Sequence, residues 1–160
     1  MIRLCGIGMI AAASVAFGLC YTASLRHELL VLRAFLRLLE RIRTRIECFC
    51  EPLGDIYRGF SDDILDGCHF TEELCRSGFT VALCKGKGAL GLSAEHFSLL
   101  AECGEGLGKS FSEEQVRHCE RYQKELTVAI RRLEERLPTQ ARLARTLSVA
   151  IAAMTVILLI

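Results

Sequence analysis

The chain has 160 residues, 51% of them apolar, nine cysteines, no tryptophan and a formal net charge of +1. That balance excludes nucleic-acid binding driven by bulk positive charge. An odd number of cysteines without a CxxC pair does not describe a disulfide framework. Of the 20 basic and 19 acidic side chains, only Arg3 falls outside residues 24–145, leaving 19 of each sign in that segment.

The first predicted element is an uncharged apolar run from Leu4 to Ala23. Its length matches the about 20 residues that a helix needs to cross the hydrocarbon core, so it predicts a transmembrane helix over 4–23. Gly6, Gly8, Gly18 and the Ala11-Ala12-Ala13-Ser14 stretch make it rich in small residues, which let membrane helices approach closely. A cleaved leader competes with this reading, with Arg3 as its basic end and the alanine-rich run as its apolar centre. Against cleavage, Arg26, Arg33, Arg37, Arg41, Arg43 and Arg45 follow at once, and positive charge beyond an apolar segment resists translocation. A second uncharged run closes the chain over 146–160, behind Arg131, Arg132, Arg136, Arg142 and Arg145. From Leu147 it spans roughly 22 Å, short for a bilayer core of about 30 Å unless the flanking arginines snorkel. Both flanks predict that residues 24–145 are cytoplasmic, where thiols stay reduced and pack as small apolar groups.

Within that segment, Leu25, Leu29, Leu32, Leu36, Leu39, Ile42, Ile46, Phe49 and Leu53 recur at steps of three and four. They form one stripe of a long helix with arginine over the rest of its surface. Pro52 ends it, because the residue before a proline is driven from the α region. A short helix follows on Leu53, Ile56, Tyr57 and Phe60. Ser61 and Thr71 are predicted N-caps, each followed by two acids. Gly67, Gly78 and Lys85-Gly86-Lys87-Gly88 are expected to be loops. Helix resumes at Ser93, with Phe97, Leu99 and Leu100 inside, and breaks at Gly104, Gly106 and Gly108. Ser112-Glu-Glu-Gln115 has the form of a capping box. It opens a helix striped by Val116, Cys119, Tyr122, Leu126, Ile130, Leu133 and Leu137, which Pro138 is expected to kink or interrupt. No strand alternation and no internal repeat is visible. The fold class expected is all-α: an antiparallel bundle of about six helices flanked by N- and C-terminal transmembrane helices.

No chemistry stands out. Lys85-Gly86-Lys87-Gly88 lacks the spacing and preceding strand of a phosphate-binding loop. Cys68, His69 and Cys75 form one irregular cluster without the second ligand pair that structural zinc requires, and His118 falls on a face expected to be solvated. Cys103 has no base or cation to activate it, and its apolar surroundings favour packing. The expectation is a non-enzymatic protein with no catalytic, cofactor or metal residues. Gly104, Leu107 and Gly108 are expected to form a structural turn. Exposed Arg37, Arg41 and Arg45 are the expected contacts with a protein partner or with lipid.

The order of features resembles a known family. Glu51-Pro52-Leu53 after an arginine-bearing helix, Leu90-x-Leu92-x-x-Glu95-x-Phe97-x-x-Leu100, Gly104-x-x-Leu107-Gly108 and Gln115 at the start of a long helix are similar to stage III sporulation protein AB. Two positions depart from that pattern, Phe111 where an aspartate is common and Cys103 where an aromatic residue is. The family in turn resembles the cytoplasmic domain of the type II secretion and type IV pilus platform (F) protein. The resemblance implies a membrane scaffold in endospore formation, in the mother-cell membrane facing the forespore. Its implied partners are a stage III sporulation protein AA-like ATPase and other subunits of the mother cell–forespore complex.

Overall fold

The computed structural model describes the backbone of residues 2–109 and 111–157, and the side chains of Ala16, of 18–138 apart from 110, and of Leu143, Thr146 and Ala150. Among the described residues there are seven helices: α1 (Ile2–Phe49), α2 (Leu53–Arg58), α3 (Asp63–Gly67), α4 (Phe70–Ser77), α5 (Phe79–Leu90), α6 (Ala94–Gly106) and α7 (Ser112–Ile157). They form two compact units, one of residues 1–26 with 132–160, the other of residues 27–131.

The all-helical expectation holds, but the flanking transmembrane helices do not. No helix among the described residues is long and apolar enough to cross a membrane. Spanning requires about 20 predominantly apolar residues. The described part of α1 reaches Arg26, Glu28 and Arg33 within a few turns, and α7 is charged at short intervals from Glu113 to Arg136. Most side chains of 4–23 and 146–160 lie outside the described residues. In the first unit, Thr22 Oγ1 donates to the Gly18 carbonyl at 2.8 Å, a bond to the preceding helical turn. Leu19, Tyr21 and Leu143 are exposed there.

The second unit is built around α1. Leu29, Leu32, Leu39, Ile42 and Ile46 are buried as the stripe predicts, and Val31, Ala34, Phe35 and Leu38 are buried too. Between residues 28 and 39 the apolar surface therefore covers most of the helix circumference, the pattern of a central helix. Phe35 meets Phe70 of α4 edge-on at 4.9 Å and Phe79 of α5 at 5.8 Å. The third side, Phe70 to Phe79, is also 5.8 Å. Such edge-to-face aromatic groups add about 0.5–1.5 kcal/mol per pair beyond burial. The short helices pack in sequence, α2 and α3 on α4, α4 on α5, and α5 on α6. Cys119, Tyr122, Leu126 and Ile130 of α7 are buried at the predicted spacing.

Several predicted boundaries shift. The Lys85-Gly86-Lys87-Gly88 tract is helical, inside α5, and the loop comes afterwards at Gly91 in the left-handed region (φ 59°). Asp62, rather than Ser61, caps α3, accepting from the Ile64 amide at 3.1 Å. Thr71 lies within α4, and its hydroxyl donates back to Asp66 Oδ1, which Ser61 also reaches through Oδ2. Ser93 does cap α6. Helix α7 begins at Ser112, with the Phe111 carbonyl accepting from the Glu114 and Gln115 amides, and continues through Pro138 without interruption.

Candidate functional site

The C-terminal turn of α1 ends unusually. Cys50 adopts a left-handed conformation (φ 49°), a position where glycine is normally favoured. Its amide donates to Ile46 O at 3.1 Å, and the Glu51 amide donates to Arg45 O at 3.4 Å. These bonds satisfy carbonyls that the helix end would otherwise leave open. Pro52 then starts α2 in extended geometry. The reversal brings Glu51, Pro52 and Leu53 beside Gly108, Ser112 and Gln115, and with Ile46 and Cys50 they line one groove of about 400 Å³.

Glycine is needed on the far wall. Gly108 has φ 83°, which β-carbon sterics disfavour, and a β-carbon there would lie 3.3 Å from Leu53 Cδ1. Leu107 caps α6 in extended geometry and donates its amide to Gly104 O at 3.3 Å. Gly104 itself is buried against Phe79 and Thr80 of α5. Gly104 and Gly106, expected to break the helix, lie inside α6; the chain leaves the helix at Leu107 and Gly108, and Gly104 is a close-packing point. Beside the groove, Phe111 is 89% exposed. Phe49 is 67% exposed rather than part of the buried stripe.

The three arginines expected at the surface line an adjoining furrow on α1 with Glu40 and Thr44. Each also holds a neighbouring segment. Arg37 donates through Nε and Nη2 to Asp62 Oδ2 at 2.8 and 2.6 Å. Arg41 Nη2 donates to the Gly59 carbonyl at 2.6 Å. Arg45 Nη1 meets Glu51 Oε2 at 3.3 Å, and its guanidinium lies over the Phe49 ring at 5.4 Å. The Arg45–Glu51 pair joins the furrow to the groove, making one surface along the last three turns of α1.

A second polar cluster was not legible in the sequence. Glu28 is 6% exposed, on the apolar face of α1. Its Oε1 accepts from the Ser93 amide at 2.7 Å and pairs with His96 Nδ1 at 2.7 Å. Burial alone would raise the Glu28 carboxyl. The bonds from His96 and Ser93 outweigh it and hold the carboxyl below its usual range. Nearby, His27 Nε2 lies 3.2 Å from Ala89 O. The Ser93, His96 and Glu28 set has the composition of a catalytic triad but the wrong geometry. Ser93 Oγ and Glu28 both sit on Nδ1 of His96, at 2.9 and 2.7 Å. A nucleophilic serine must face Nε2 while the acid holds Nδ1. The cluster is a latch between α1 and the α5–α6 connection.

The thiols divide by burial. Cys103 is buried and its thiol is pushed up by burial to about 12. Burial raises Cys119 likewise, to about 11. Cys68 Sγ contacts Ala89 O at 3.5 Å, and Cys75 Sγ contacts Tyr57 O at 3.3 Å. His118 is not simply solvated: its Nε2 lies 2.9 Å from Cys103 O, and its ring fills the space beside Gly106. Among the described residues, no three metal-binding side chains come together.

These features define the class: an all-helical bundle protein whose sequence landmarks converge on an exposed groove at one end of its central helix. The family model described as stage III sporulation protein AB (spore_III_AB) matches residues 3–160, and the chain belongs to that family. Membership places it in sporulation. None of the curated proteins and none of the solved structures compared with it matches.

Proposed function

We propose that the chain is a non-enzymatic scaffold subunit of a secretion-like complex in endospore formation, comparable in role to a type II secretion or type IV pilus platform protein. In this reading it holds a stage III sporulation protein AA-like ATPase against the other subunits linking mother cell and forespore. One observation carries the proposal. Glu51-Pro52-Leu53, Gly108 and Gln115, which lie far apart in the chain, meet at one groove, and the chain neighbours of two of its lining residues, Phe49 and Phe111, are exposed aromatics. Aromatic side chains, phenylalanine included, are enriched at protein interfaces. Arg37, Arg41 and Arg45 extend the same surface and add polar contacts at its rim.

The test is site-specific photo-crosslinking in sporulating cells, with a benzophenone side chain at position 111 and, as control, at Val128, which is 50% exposed on α7. An adduct with the ATPase from position 111 but not from 128 supports the proposal. No adduct from 111, or equal adducts from both positions, overturns it.

A further inference from the structure

We infer that the furrow along α1 binds an acidic segment of a partner protein, in which carboxylates enter between Arg37, Arg41 and Arg45. The inference rests on the docking reading above and names the chemistry of what docks. The arginines sit at i, i+4 and i+8, so their guanidiniums recur along one face at about 6 Å of rise per step. With Glu40 and Thr44 they make up the whole lining, which is three positive groups against one negative.

The acids that already pair with these arginines act from the protein side. Asp62, the partner of Arg37, has a side chain only 10% exposed, whereas that of Arg37 is 51% exposed. Glu51 is likewise less exposed than Arg45. Those bonds occupy Nε and Nη2 of Arg37, Nη2 of Arg41 and Nη1 of Arg45. The outward guanidinium edges keep donors for a second acceptor. Guanidinium presents no acceptor atoms and matches carboxylate geometry in a planar fork. Hydrogen-bond polarity therefore selects a carboxylate-bearing occupant, since the arginines keep unused donors while Asp62 and Glu51 already balance the charge of two of them.

The test uses the full-length chain and a fluorescent peptide with three glutamates at four-residue spacing, read by anisotropy, beside the same peptide with glutamine. Two variants tune the furrow without replacing any residue of the arginine clasps. T44E places a competing carboxylate inside it; Thr44 is exposed, and its hydroxyl bonds only to Glu40 O. E40Q removes the furrow's own acid. The glutamate peptide is expected to bind and the glutamine peptide not. T44E should weaken binding about tenfold with an unchanged melting midpoint, E40Q should tighten it about threefold, and added salt should weaken it.

Equal binding of the two peptides, or an unchanged affinity in T44E and E40Q, overturns the inference. So does absence of peptide binding together with T44E-sensitive binding to phosphatidylglycerol vesicles, which would assign the furrow to lipid. A failure here alongside a positive crosslink from position 111 would sink this inference and leave the scaffold role standing.

Discussion

Gly104 of α6 and Phe79 of α5 touch so closely that a β-carbon at position 104 would overlap the Phe79 ring and press on Thr80 Oγ1 at 3.1 Å. The missing side chain sets the distance between two helices. The same ring closes the aromatic cluster with Phe35 and Phe70, so displacing it disturbs the core around α1. Overpacking of this kind costs about 1–3 kcal/mol. G104V is expected at the upper end, measured by urea unfolding of the full chain. An unchanged midpoint would show that α5 and α6 can separate freely.

Gly106 and Gly108 act by different means. At 106 the obstacle is the His118 ring, which is free to rotate at the loss of its contact with Cys103 O. At 108 the obstacle is the backbone, with φ 83°. G108A is expected to cost about 1–2 kcal/mol from left-handed strain. The double variant G106A/H118A should be milder than G106A alone, whereas truncating Leu53, the side chain nearest a β-carbon at 108, should leave most of the G108A loss in place. Comparing unfolding midpoints across these variants separates the two mechanisms.

The Glu28–His96 latch gives the fold a defined acid sensitivity. Because the folded Glu28 carboxyl lies below its usual range, its contribution is complete above the unfolded carboxyl value, about 4.3. It is lost as pH falls through the lower folded value. At neutral pH, E28Q should destabilise the chain by about 1.5–3 kcal/mol, the range for a charge-assisted bond. Equilibrium unfolding from pH 7 to pH 3 should show the difference between wild type and E28Q narrowing towards the acid end. A constant gap would contradict an ionised, hydrogen-bonded Glu28.

Asp62 serves two structures at once, capping α3 through Oδ1 and holding Arg37 through Oδ2. D62A removes both and should cost about 1–2 kcal/mol, the range for a lost N-cap. R37Q removes only the second contact, at a half-exposed guanidinium, and should cost less than 1 kcal/mol. Thermal melts of the two variants would test that order; a larger loss for R37Q would reverse it.

The long elements were legible because their signals are periodic and local. The α7 stripe from Cys119 to Leu133 and the Ser93 cap of α6 could be read directly. The end of α1 could be read from Pro52. Periodicity also identified one face of α1, but it passed over Val31, Ala34, Phe35 and Leu38. A helix buried on most sides presents two interleaved stripes, and the leucine-rich one dominated the reading.

Tertiary packing overrode local propensity in α5. Glycine costs a helix about 1 kcal/mol relative to alanine, so Lys85-Gly86-Lys87-Gly88 reads as a loop. In the fold, a β-carbon at Gly86 would press on Leu90 Cδ1 at 3.3 Å and approach Phe70 at 3.9 Å. The bare position lets the helix close against its neighbours. The predicted caps at Ser61 and Thr71 went astray because both hydroxyls are drawn to Asp66. The arginine spacing was visible, but its partners Asp62, Gly59 and Glu51 were not, because nothing local announces them. The terminal runs show the limit of composition read without context: they read as membrane spans, but no helix among the described residues is long and apolar enough to cross a membrane.

The distribution of sulfur turns this chain into its own gauge of opening. Among the described residues, Cys20, Cys48, Cys50, Cys75 and Cys84 are accessible, whereas Cys68, Cys103 and Cys119 are enclosed. A maleimide pulse should modify the first set promptly. The second set waits for the bundle to breathe, since only a thiolate reacts. The order in which Cys103 and Cys119 become alkylated would then reveal whether α6 or α7 peels away first.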